Sequence, residues 1–174
     1  NAMRETQLQE LINYESVRIL RSYHDAYRDY QRAGAAQLSS LYREQEELEQ
    51  LMALIEQMVS HSHSEKNTAI IGLTEQLVRR LQGGRITSCK SAKDRTSMAV
   101  TAEQAQLLHE RHGVDGVEAA ALADEMRIHG VRWLNMRKNV HKGRYAFNWL
   151  QQRLMPKVYR APKGTYSRFG GSPS

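Results

Sequence analysis

Apolar residues recur at three- and four-residue intervals through the first third of the chain. Leu8, Leu11, Ile12, Ile19, Leu20, Tyr23, Ala26, Tyr27 and Tyr30 paint one helix face, with Ala33-Gly34-Ala35 as its interruption. Leu41, Leu48, Leu51, Met52, Ile55, Met58 and Val59 mark a second amphipathic helix. His61-Ser62-His63-Ser64 reads as a connection, in which Ser62 and Glu65 have the spacing of a capping box. Ile70, Leu73, Leu77, Val78 and Leu81 predict a third helix, stopped by Gly83-Gly84. At this spacing the tyrosines and methionines are read as core rather than as cofactor contacts.

The period then changes. Arg85–Ser88 is short, holds Ile86 and Thr87 and follows two glycines, so it is the one strand candidate. A loop with the cysteine follows, then a helix over Thr96–His112 carried by Met98, Val100, Ala105 and Leu108 and ended by Gly113. Asp115 is placed to cap a further helix through Arg127, with Gly130 closing it. Residues 131–142 are ambiguous, and Tyr145–Leu154 predicts a final amphipathic helix before Pro156. Pro162 to Ser174 has turn and linker composition. The expectation is a predominantly α fold with a small β component and one domain over 4–166. Its parts are a helical region at 4–82, a strand–loop–helix at 85–113 and a basic helical region at 115–160, before a flexible tail at 167–174. No internal repeat is present.

Composition narrows the class. The chain has 174 residues, 40% hydrophobic and 25% charged, which suits a soluble globular protein. No apolar run approaches the roughly 20 residues that span a bilayer. The opening Asn1-Ala2-Met3 reads as a cloning remnant, and no secretory signal is expected. A single cysteine makes no internal disulfide, so a reducing, cytoplasmic setting is expected. Charge is unevenly spread. Residues 1–126 hold 14 Lys and Arg against all 19 Asp and Glu, whereas residues 127–174 hold 11 Lys and Arg and no acid. Such a field attracts nucleic acid, inositol phosphates or an anionic membrane face, unless it is only a solvated basic tail. Nucleic acid is not an expected partner, because aromatic content is 7% and no recognised nucleic-acid motif occurs.

The cysteine carries the candidate chemistry. Between Cys89 and Arg95 lie Lys90, Ser91, Ala92, Lys93 and Asp94. A strand, this loop and a helix start can wrap backbone N–H groups around a phosphate, and the helix N-terminus adds partial positive charge. The same field favours the thiolate, lowering the thiol pKa from about 8.5. A thiolate below a phosphoryl group is an in-line nucleophile, and a phosphocysteine divides hydrolysis into two easier steps. Arg95 would grip two phosphate oxygens, and the Thr96 hydroxyl sits where it can hydrogen-bond the sulfur. Lys90 and Lys93 suit a substrate with several phosphates. The bland reading is that a lone cysteine is a small buried hydrophobe.

"CKSAKDRTSM" at Cys89–Met98 resembles the active-site signature of the inositol polyphosphate 4-phosphatases, members of the cysteine-based Cys-x5-Arg phosphatases. The likeness extends over "LQGGRITSCKSAKDRTSMAVTAEQAQLLHERHG" and "KNVHKGRYAFNWLQQRLMPKVYRAPKGTY", so residues 81–166 are covered and residues 4–80 fit only loosely. The resemblance implies a strand–phosphate-loop–helix active-site unit and hydrolysis of the 4-phosphate of phosphatidylinositol 3,4-bisphosphate, or its soluble head group, without metal or cofactor. Carried over, Cys89 is the nucleophile, Ser91, Ala92 and Arg95 bind phosphate, and Lys90 and Lys93 contact the inositol phosphates. Asp94 is the candidate to protonate the leaving alkoxide, as in similar "DRT" loops of myotubularin and Sac-type lipid phosphatases; alternatively it braces Lys93 or the helix start.

The family's members are long and carry a lipid-binding region far upstream, so this chain is expected to be a catalytic end whose basic stretch assists peripheral attachment to anionic membrane. Bacterial effector phosphoinositide phosphatases share a similar loop, which leaves regiospecificity open on the loop alone. The rival from another class is a catalytically silent helical module that binds inositol lipids or other phosphorylated partners. His61 with His63, and His109 with His112, are read as structural rather than metal-binding. Trp133 and Trp149, with neighbouring Arg and Lys, suit a membrane interface or the core, and Trp149 is read as core.

Overall fold

The computed structural model describes residues 2–34, 38–61, 67–89 and 93–167. They form two compact units, Asn1–Arg85 and Ile86–Ser174. In the first unit, three helices follow one another: α1 (Ala2–Gly34), α2 (Leu38–His61) and α3 (Ala69–Arg80). The Ser62–Glu65 capping box lies outside the described residues.

Leu48, Met52 and Ile55 from α2 and Leu77 with Leu81 at the end of α3 are fully buried, and Val17, Leu20, Tyr27, Leu51 and Leu73 pack against them. On α1 the buried stripe differs from the predicted one. Val17, Leu20, His24 and Tyr27 face inward, while Leu8, Leu11, Ile12, Ile19, Tyr23 and Tyr30 are exposed. A polar side chain, His24, sits at the centre of the packed stripe, which an apolar periodicity does not select. Polar ties join α1 to α2. Arg21 Nη1 donates to Glu49 at 2.7 Å, and its Nε and Nη2 donate to the two Glu56 oxygens at 2.8 and 2.6 Å. These bonds, Glu56 foremost, hold the Arg21 pKa above its ordinary value despite partial burial.

The second unit holds α4 (Asp94–His112), α5 (Gly116–His129), α6 (Val131–Val140), β1 (Tyr145–Asn148), α7 (Trp149–Leu154), a single 3-10 turn at Lys157–Tyr159, and β2 (Tyr166–Ser167). Gly113 ends α4 in the left-handed region at φ 69°, and the Asp115 side chain caps α5 by accepting from Val117 N at 2.8 Å. Met98 of α4 meets Met136 of α6, Tyr145 and Phe147 of β1 and Ala161, with Trp133, Met155, Tyr159 and Tyr166 around them. Gly143 is required here, because a Cβ at that position would overlap the Trp133 ring.

Three predicted elements are corrected. Arg85–Ser88 is not a strand: residues 83–89 are irregular, and Ile86 is 96% exposed. A β-branched run becomes a strand only with a neighbour to complete its hydrogen-bond ladder, and none of the described residues pairs with it. The β component lies elsewhere, as the parallel pair β1–β2 with Tyr145 opposite Tyr166. The final helix starts at Trp149, not Tyr145, because Asn148 forms a capping box with Gln151: its Oδ1 accepts from Gln151 N at 2.8 Å, and Gln151 Oε1 accepts from Asn148 N at 3.0 Å. Trp149 is exposed rather than core. Ser167, expected in the flexible tail, is in β2. Among the described residues, no helix is long and apolar enough to cross a membrane.

Candidate active site at the start of α4

Lys93, Asp94, Arg95 and Thr96 lie together at the first turn of α4, where Lys93 is the N-cap and its carbonyl accepts from Ser97 N at 2.9 Å. Lys90, Ser91 and Ala92 lie outside the described residues. Cys89 is half-buried at the end of the preceding irregular segment, and Arg95 is exposed to solvent. The Thr96 hydroxyl oxygen is buried and has no hydrogen-bond partner among the described residues.

Asp94 is unlike its neighbours. It is 7% exposed, and both carboxylate oxygens are engaged. Oδ1 accepts from Arg132 Nε and Nη2, each at 2.6 Å, and Oδ2 accepts from Ala146 N at 2.7 Å. The carboxylate thus ties the first residue of α4 to α6 and to β1. These are charge-assisted bonds in a shielded place, the strong class for their geometry.

A second arginine holds the other side of α4. Arg127, on α5, is 3% exposed; its Nε donates to Thr101 Oγ1 at 2.8 Å and its Nη2 to Met98 O at 3.2 Å and Val158 O at 2.7 Å. Its Nη1 donates to Asp124 at 3.2 Å and to Arg160 O at 3.0 Å, while its own carbonyl accepts from Tyr145 Oη at 2.6 Å. Burial pulls the Arg127 pKa below the ordinary arginine value, with Asp124 opposing, and burial pushes the Tyr145 pKa up. Arg127 therefore fastens α4, α5 and the segment after α7 to one another.

A cleft of about 540 Å³ runs beside the first turns of α4, lined by Lys93, Thr96, Ser97, Gln104, Arg132 and Asn135 among others. Neither Cys89 nor Arg95 lines it. Sequence reasoning found the loop and did not find Arg132 or Arg127. Arg132 is 38 positions from Asp94 and belongs to a stretch rich in cations, so no local signal singles it out.

The described residues bring one metal-compatible group together, His24, Asp25 and Glu49 in the first unit. Guanidinium groups already serve it: Arg21 Nη1 is 2.7 Å from Glu49, and Arg28 Nη1 is 3.3 Å from Asp25. His109 Nδ1 lies 2.7 Å from Val114 O at the end of α4, a structural contact.

The family described as the INPP4A C-terminal domain matches residues 1–159. A human protein, inositol polyphosphate 4-phosphatase type II, is 38% identical over 164 residues, covering 94% of this chain and 17% of its own length. The type II inositol 3,4-bisphosphate 4-phosphatases of Pongo abelii and Rattus norvegicus are 38% and 37% identical over the same share of each chain. The chain thus spans 17% of the length of the curated relatives it matches. No solved structure matches it. A match over nearly the whole chain, running through the Cys89–Arg95 loop and the Tyr145–Asn148 strand, places this chain in the inositol polyphosphate 4-phosphatase family, as its C-terminal domain.

Proposed function

We propose that this domain carries the catalytic loop of a phosphoinositide phosphatase that removes the 4-phosphate of phosphatidylinositol 3,4-bisphosphate or its soluble head group. The observation that carries the reading is the 38% identity over 94% of the chain to proteins named for that reaction, with Cys-x5-Arg inside the matched region.

In this reading the Cys89 thiolate attacks phosphorus, the bond to the inositol 4-oxygen breaks, and the alkoxide takes a proton from water. Water then attacks the phosphocysteine, forming inorganic phosphate and restoring the thiol. Arg95 is exposed at the helix start and available to two phosphate oxygens, and the helix terminus adds its dipole. Lys90 and Lys93 meet the remaining phosphates, Ser91 and Ala92 offer backbone N–H groups, and the Thr96 hydroxyl stabilises the departing sulfur. No metal or cofactor takes part.

For Asp94 we adopt the bracing role. A general acid must turn a carboxyl oxygen toward the leaving group, whereas both oxygens of Asp94 are already engaged, Oδ1 by the Arg132 guanidinium and Oδ2 by the Ala146 N–H. Asp94 and Arg132 then act as positioning residues for the loop. Attachment to the cytoplasmic face of an anionic membrane, where the lipid substrate lies, completes the reading.

The experiment is phosphate release from a panel of phosphoinositides and inositol phosphates, comparing the parent with Cys89→Ser. Release of the 4-phosphate that Cys89→Ser abolishes is expected. Release only from position 3 or 5 overturns the regiochemistry, and no release from any substrate overturns catalysis by this chain.

A further inference from the structure

Helix α7 buries Gln152 and exposes its apolar side chains. Gln152 is 4% exposed and accepts from Ala161 N at 2.8 Å, whereas Trp149, Leu150 and Leu154 are 47%, 52% and 77% exposed. At about 100° per residue, Trp149, Leu150, Arg153 and Leu154 share one side of the helix. The Arg153 guanidinium lies 5.9 Å over the Trp149 ring, and exposed Lys157 and Val158 follow after Pro156. The helix is started by its own capping box and anchored through Gln152, so the apolar side chains are not spent on holding it in place.

From Arg127 onward the chain carries charge of one sign. Residues 127–174 contain 11 Lys and Arg and no acid, and Arg144, Arg153, Lys157 and Lys163 are exposed. We propose that α7 seats the domain on an anionic lipid bilayer, with Trp149, Leu150 and Leu154 entering the interface and the flanking cations meeting headgroups. Tryptophan prefers the headgroup level, and Arg and Lys stems lie along apolar surface while their charges reach anions. A bilayer supplies an apolar interior under a negative surface, the two complements this face requires. The apolar area is small, so attachment needs both contributions together.

The proposal rests on α7 and not on Cys89, and its test uses vesicles that contain no phosphoinositide. The chain is mixed with vesicles of phosphatidylcholine alone or with phosphatidylserine, and binding is read by co-sedimentation and tryptophan emission. Binding to the phosphatidylserine vesicles, weakening as salt rises, with a blue shift lost in Trp149→Phe, is expected. Leu150→Ser with Leu154→Ser should lower partitioning about tenfold with the thermal midpoint unchanged, since both side chains are exposed. Binding equal to the parent in that variant overturns insertion by α7. No binding of the parent to anionic vesicles overturns the membrane and points to a protein partner on this face. Hydrolysis of soluble inositol 3,4-bisphosphate reads the Cys89 chemistry separately, and its loss leaves the vesicle result standing.

Discussion

Arg132 holds Asp94 from two nitrogens, both 2.6 Å from the same carboxylate oxygen, and so fixes the first residue of α4 to the first turn of α6. The pair places a structural ion bridge inside the Cys89–Arg95 loop.

Breaking that bridge from either end should loosen the loop. Arg132→Gln leaves a shielded carboxylate with only the Ala146 N–H, and Asp94→Asn leaves the guanidinium without its anion. Each should destabilise by about 2–4 kcal/mol, measured by denaturant unfolding, with the double variant little worse than either alone. Turnover should fall in both. Loss of turnover in Asp94→Asn at full stability, with Arg132→Gln unaffected, would show that Asp94 is the acid instead.

Arg95 should matter in proportion to its planar fork. Arg95→Lys keeps the charge and loses the paired grip on phosphate, so phosphate release should drop by roughly 10²–10³-fold. Because Arg95 is exposed, the thermal midpoint should stay where it is.

Cys89 should react as a thiolate. Alkylation by iodoacetamide should show a midpoint below the ordinary thiol value of about 8.5, and inorganic phosphate should slow it. A midpoint at or above that value with no phosphate protection would count against an anion-binding loop.

Removing Arg127 should be the most damaging single change in the second unit. Arg127→Met takes the guanidinium donors from the carbonyls of Val158 and Arg160 and from Asp124, at about 3–5 kcal/mol. Arg127→Lys should recover only part of this, since one ammonium cannot span the partners that the guanidinium reaches. Urea titration followed by circular dichroism reads both.

Acid should weaken the first unit through Glu56. Its pKa is lowered from 4.5, chiefly by the Arg21 hydrogen bonds. A depressed carboxyl contributes stability that is fully present above about 4.5 and is lost as pH falls from there through the lowered folded value. Thermal midpoints should therefore drop on acidification below that point. In Arg21→Met the drop should be smaller, because Glu56 then titrates near its ordinary value.

Much of the architecture was legible. The helices came from apolar periodicity and their ends from short-range chemistry: Gly34, Gly113 and the Asp115 cap all act through neighbours a few residues away. Arg85–Ser88 has residue types that suit a strand, but a strand's partner is not a local property. The strand at Tyr145–Asn148 was missed for the converse reason, since Tyr145 bonds to Thr165 and pairs with Tyr166 about twenty residues on. On α1 the inward face centres on His24, and an apolar stripe cannot point to a histidine. Residue type alone assigns Trp149 to the core, whereas Gln152 takes the inward place, where its side chain accepts from Ala161 N.

By itself the sequence determined the helical class, the breaks between helices, the charge division and the loop with its one thiol, because each depends on residues close along the chain. The family signature followed from the same local strings. Tertiary structure decided that Asp94 is clamped rather than open, that Arg132 and not another of the many C-terminal cations clamps it, and that α7 turns its apolar side outward. Those outcomes depend on which surfaces meet across tens of residues, and a buried carboxylate accepts the cation that packing delivers within hydrogen-bond reach.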